Sequence, residues 1–96
     1  MIDENKFWEL IRNWEYQTRF QSSATTILTN ASLNEVIQMG PEAITLILKA
    51  LKDNWFLSFA LHKITGEWPV KDEYAGNGEK IIECWRKWAK KHGYQI

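Results

Sequence analysis

Residues 55–70 read WFLSFALHKITGEWPV. Trp55, Phe56, Leu57, Phe59, Ala60, Leu61 and Ile64 leave this segment without a polar face until its last turn. A helix that is apolar nearly all round is normally the central, buried one. Gly66 stands just beyond the last periodic position, where a left-handed residue commonly ends a helix. His62 and Lys63 fall in the final turn, where donors and positive charge meet free carbonyls, and Thr65 can bond back to the turn before it. The crowding of His, Lys, Thr and Gly here marks a helix stop, neither a phosphate cradle nor a catalytic loop.

Working outward, helical spacing continues on both sides. Phe7, Leu10, Ile11 and Trp14 recur at i, i+3, i+4, i+7, with Asp3 as the expected N-cap. Ser22 or Ser23 can cap a short turn that buries Ile27 and Leu28. Ser32 and Glu35 have the spacing of a capping box, opening a helix that buries Leu33, Val36 and Ile37. Gly40 stops that helix and Pro41 starts the next at N1, with Ile44, Ile47, Leu48 and Leu51 on its apolar face. After a loop from about Glu67 to Gly78, a last helix capped by Asn77 buries Ile81, Ile82, Trp85, Trp88 and Ala89 and ends at Gly93. Strand-like alternation is absent, so the spacing predicts an all-α chain: one compact domain of five or six helices.

Length and composition agree. The 96 residues are 45% hydrophobic and 25% charged, the balance of a soluble globular domain with one core. No apolar run approaches the ~20 residues of a membrane span. The acidic, amphipathic N-terminus is unlike a signal peptide, so a cytoplasmic protein with no membrane partner is expected. Cys84 is the single cysteine, which leaves no internal disulfide and no cysteine-based metal set. Formal net charge is zero, but residues 1–48 carry three basic against six acidic side chains and residues 49–96 nine against six. A molecule of this polarity can steer a charged partner or associate with itself, yet it lacks the basic excess of a dedicated nucleic-acid binder.

The pieces MGPEAITLILKAL, ALHKITGEWPV and CWRKWAKKHGY together resemble a family of small bacterial all-helical proteins. These share an Ile-Thr-Gly-Glu-x-Pro-Val segment and a closing Trp-x-x-Trp helix. The likeness spans roughly residues 36–94. More distantly, the Ile-Thr-Gly step before a Trp-x-x-Trp helix is similar to the closing unit of HEAT-like repeat domains. It implies a HEAT-like helical hairpin in the second half, with residues 1–31 as a capping helix and short turn and residues 32–96 as the HEAT-like helices. It also implies a role in holding a protein partner, with no cofactor and no catalysis. Two departures stand out: Trp68 occupies the place of a polar residue, and KDEYAG replaces a loop containing Pro and Arg.

No residue constellation rises to a reaction. Cys84 with His92 could suggest a nucleophile and base, but a lone cysteine among Ile82 and Trp85 reads as a small buried hydrophobe. A site of His62 with Glu67 or Glu83 lacks the remaining ligands of a metal centre. Acids at Asp72, Glu73 and Glu79 read as a solvated loop. GNGEK, Gly76 to Lys80, lacks the strand and the full Gly-x-x-x-x-Gly-Lys-Ser/Thr pattern of a phosphate loop. No catalytic, cofactor-binding or metal-binding residue is therefore assigned.

Two features remain. Arg86, Lys87, Lys90 and Lys91 lie on the helix face away from Ile81, Trp85 and Trp88, a solvated face that can also meet an acidic protein or a phosphate backbone. Of the six tryptophans, Trp14, Trp55, Trp85 and Trp88 fall on apolar stripes and Trp8 on a stripe's margin. Trp68, in a loop beside Pro69, has two readings: displayed as an interface anchor, a role in which tryptophan is enriched, or folded back as a lid over the open end between the last two helices. The candidate partner-binding set is Trp68, Tyr74, Arg86, Lys87, Lys90 and Lys91. The leading expectation is a non-enzymatic protein-binding module, an antitoxin, immunity or phage-type inhibitor that neutralises one partner. The alternative is a nucleic-acid-associated accessory protein using the basic last helix.

Overall fold

Asp3 accepts a hydrogen bond from the Lys6 amide at 3.1 Å, and so opens the first helix of a computed structural model that describes residues 2–95. That helix, α1 (Glu4–Thr18), buries Phe7, Leu10, Ile11 and Trp14, the stripe its spacing predicts. Ser23 caps α2 (Ala24–Leu28), which buries Ile27 and leaves Leu28 half-buried. Then come α3 (Ala31–Gln38), a 3₁₀ turn over Gly40–Ala43, α4 (Ile44–Ala50), α5 (Leu57–Thr65), a 3₁₀ turn over Asp72–Tyr74 and α6 (Gly78–Lys91). No strand occurs among the described residues, and the chain folds into one compact all-α domain with a Cα radius of gyration of 12.7 Å.

Helix α1 packs chiefly against α3, while α3, α4 and α6 all pack against α5. One continuous core results, running from Phe7 and Trp14 through Leu33, Val36, Ile47, Leu57 and Leu61 to Trp85. No helix among the described residues is long and apolar enough to cross a membrane.

Three local expectations are revised. The cap of α3 is Asn30, whose Oδ1 accepts from the amides of Ser32 at 2.8 Å and Leu33 at 3.3 Å. Ser32 lies inside the helix and is buried. Asn30 also donates through Nδ2 to Gln17 at 3.0 Å, tying α3 to α1. An asparagine two residues upstream thus does what a Ser–Glu capping box would do, and links two helices as well. The helix after Pro41 begins as a 3₁₀ turn and becomes α only at Ile44. Finally, the apolar segment from Trp55 is not buried on all sides. Leu57, Ser58, Ala60 and Leu61 face the core, whereas Trp55, Phe56, Phe59 and Ile64 are half-exposed. Trp55 and Phe56 precede α5 in a turn closed by Asn54, whose Oδ1 accepts from the Phe56 amide at 3.1 Å. The aromatic side of the segment stacks upon itself, Trp55 on Phe56 with ring centres 4.5 Å apart. Against Trp55 the chain needs a glycine. A Cβ on Gly78 would stand 2.8 Å from the Trp55 Cδ1.

The stop of α5 follows the sequence reading. Gly66 adopts φ 75° and ψ 1°, and its amide donates to the His62 carbonyl at 2.8 Å. The Thr65 hydroxyl donates to the Leu61 carbonyl at 2.8 Å. A Cβ at Gly66 would meet no atom within 4 Å, so the demand is purely conformational. Gly66→Ala is expected to cost about 1–2 kcal/mol through the left-handed backbone, and Gly66→Asn less, as measured by urea denaturation. Equal stability of all three forms would show that the helix does not depend on this residue for its end.

Candidate functional site

The segment after Gly66 is held in place by Glu67. Its amide donates to the Thr65 hydroxyl at 3.1 Å, so that hydroxyl both donates and accepts. Its carbonyl meets the His62 Nδ1 at 3.0 Å, and its carboxylate accepts from the Trp88 indole N–H at 3.1 Å. One residue thereby fastens the loop to its own helix and to α6. His62 and Glu67 meet through a backbone carbonyl, with the carboxylate committed to Trp88. No group of three or more metal-ligating side chains forms among the described residues.

On this support sits Trp68. Its ring stacks on Phe59 with centres 5.3 Å apart, meets His62 edge-on at 5.6 Å and meets Trp85 edge-on at 6.3 Å. It is also 39% exposed. Trp68 therefore covers fully buried Trp85 with one side and offers the remainder to solvent. The row of rings continues beyond it: Trp85 meets Trp88 at 5.3 Å, and Trp88 stacks with Tyr94 at 5.5 Å and with His92 at 4.5 Å. Tyr94 arrives there because α6 ends on Gly93 at φ 81°, with the Tyr94 amide donating to the Ala89 carbonyl at 2.9 Å. With the Gly93 amide donating to the Lys90 carbonyl at 3.2 Å, the two bonds and the hydrophobic contact form a Schellman-type end. His92 rests on Trp88 and Cys84 is half-buried.

A second feature lies between α4 and α6. Leu48, Lys49, Lys52, Arg86 and Lys90 line a cleft of about 540 Å³. None of its four cations forms an ion pair among the described residues. Lys87 is differently placed: it meets Glu83 at 3.4 Å, and Lys80 meets the same carboxylate at 3.7 Å. The Lys87 hydrogen bond, then the charges of Lys80 and Lys87, hold the Glu83 carboxyl below its usual range.

The six candidate residues thus do not form one patch. Arg86 and Lys90 enter the cleft, Lys87 pairs within its own helix, and Lys91 is exposed outside the cleft lining. Tyr74 is half-buried, with Lys71 and Lys80 ammonium groups 5.9 and 5.7 Å from its ring centre. Lys49 and Lys52 lie outside the candidate set: they precede α6 (Gly78–Lys91) by more than 25 residues in sequence, and only folding joins them to Arg86 and Lys90. Also outside that set, Tyr16 and Phe20 are 66% and 86% exposed, with the Arg19 guanidinium 3.7 and 4.6 Å from their ring centres. Their position just past the α1 stripe was the one available sign. No protein-family model, curated protein or solved structure matches this chain.

Proposed function

We propose that the protein is a non-enzymatic binding module that holds one protein partner with Trp68 as its anchor. The supporting observation is the fastening of that residue. An exposed indole face rests on Phe59 and Trp85, and the preceding Glu67 is tied to Thr65, His62 and Trp88. Holding a large amphipathic ring in place before contact reduces the entropy lost on binding, and tryptophans in such settings supply much of the energy of protein interfaces. The likeness to HEAT-like closing units supports the same role, and an antitoxin, immunity or inhibitor protein is the finer form of it.

The test is stoichiometric co-purification of one protein with the tagged chain, repeated with Trp68→Ala at a temperature where circular dichroism shows both forms folded. Trp68→Ala is expected to weaken that complex by about 2 kcal/mol or more. Because the rest of the ring is packed, the variant also loses about 1–3 kcal/mol of stability. An unstable but folded variant that binds as tightly as the parent removes Trp68 from the interface and leaves it as a cover for Trp85.

A further inference from the structure

We propose that the cleft between α4 and α6 docks a short acidic polypeptide segment, with its carboxylates on the surrounding Lys49, Lys52, Arg86 and Lys90. The inference is independent of Trp68, which does not line the cleft. All four polar side chains in the lining are cations, and the fifth lining residue, Leu48, is buried in the core. Four like charges around one hollow repel each other, and an anionic occupant relieves that repulsion. Arg86 adds a planar fork suited to gripping a carboxylate through two parallel hydrogen bonds.

A nucleic-acid strand fits these features less well. No aromatic ring lines the cleft to stack a base, and no neutral amide or hydroxyl side chain lines it to read a base edge. The path beyond Lys52 is also unfavourable. Lys52 lines a neighbouring hollow together with Asp53, Glu73 and Glu79, so a continuing polyanion would run from four cations into three carboxylates. A segment whose acids are confined to a few residues stops short of that boundary. The zero net charge of the chain points the same way, since a long phosphate backbone gains its affinity from a basic excess.

Fluorescence anisotropy on the full chain in ~0.1 M salt, where screening acts beyond ~10 Å, decides the matter. The probes are a labelled eight-residue peptide with four glutamates around a central leucine and a twelve-nucleotide single-stranded DNA. The leucine peptide is expected to bind, and the pair Lys52→Glu, Arg86→Glu to weaken it tenfold or more. The pair Lys87→Glu, Lys91→Glu makes the same charge change outside the cleft and is expected to weaken it twofold at most. Trp68→Ala is expected to bind the leucine peptide unchanged. If Lys52→Glu, Arg86→Glu does not fold, Lys49→Ser with Lys90→Ser reads the same loss. Tighter binding of the DNA than of the leucine peptide overturns the proposal, as does equal weakening by both charge-reversed pairs. Failure of Trp68→Ala to affect the partner complex would leave all these outcomes unchanged.

Discussion

Trp85→Ala is expected to lower the unfolding free energy by about 3–5 kcal/mol. The residue is fully buried, and its ring is in edge contact with both Trp68 and Trp88. Truncation opens a large cavity at the junction of α5, α6 and the Glu67 loop, and Trp68 loses the surface it rests on. Against a total of about 5–15 kcal/mol for a domain of this kind, such a loss can unfold the protein at ambient temperature. Urea denaturation followed by far-ultraviolet circular dichroism measures it without relying on the fluorescence of the removed ring. A change of only a few tenths would mean that α6 presents a different face to the core. Trp85→Phe is expected to cost far less, about 1–2 kcal/mol. The Trp85 indole N–H is buried without a hydrogen-bond partner, so the phenyl ring removes an unpaired donor along with part of the volume.

The second large effect is at Trp14, where the hydrogen bond adds to the loss. This ring is also fully buried, but its N–H donates to the Ile27 carbonyl at 2.9 Å and so ties α1 to α2. Trp14→Phe therefore loses ring volume and leaves a carbonyl without its donor. The combined cost is expected to be about 2–4 kcal/mol, of which the orphaned acceptor accounts for roughly 1–3 kcal/mol. The two Trp→Phe substitutions remove the same atoms from two fully buried sites and differ in the hydrogen bond. Measured side by side by urea denaturation, they should differ by at least 1 kcal/mol, with Trp14→Phe the worse. Equal losses would show that the Ile27 carbonyl finds another donor, and that α2 is held by packing alone.

The contrast between these two tryptophans shows where sequence reasoning stopped. Both were recognisable as core from helical spacing, because neighbours three and four residues apart share a face whatever the rest of the chain does. Nothing in that spacing says which indole N–H finds an acceptor, since the Trp14 partner is 13 residues away. Trp55 marks the same limit. Its stripe pointed to burial, but Asn54 turns the chain before α5 begins, and the ring is left half-exposed against Phe56 and Gly78.

The sequence by itself determined the helical class, the caps at Asp3 and Asn77, a cap at Ser22 or Ser23 that the structure places at Ser23, the stops at Gly66 and Gly93, and the core stripes of α1 and α6, apart from Ile82, which is only half-buried. Each depends on interactions within about one helical turn, or on the backbone freedom of a single residue. Only the tertiary structure decided that Trp68 is both a cover and a display, that Glu67 fastens it to Trp88, and that Lys49 and Lys52 stand across a cleft from Arg86 and Lys90. Those outcomes depend on which helices become neighbours. That is set by how the apolar faces of the whole chain fill one core, and no local spacing encodes it.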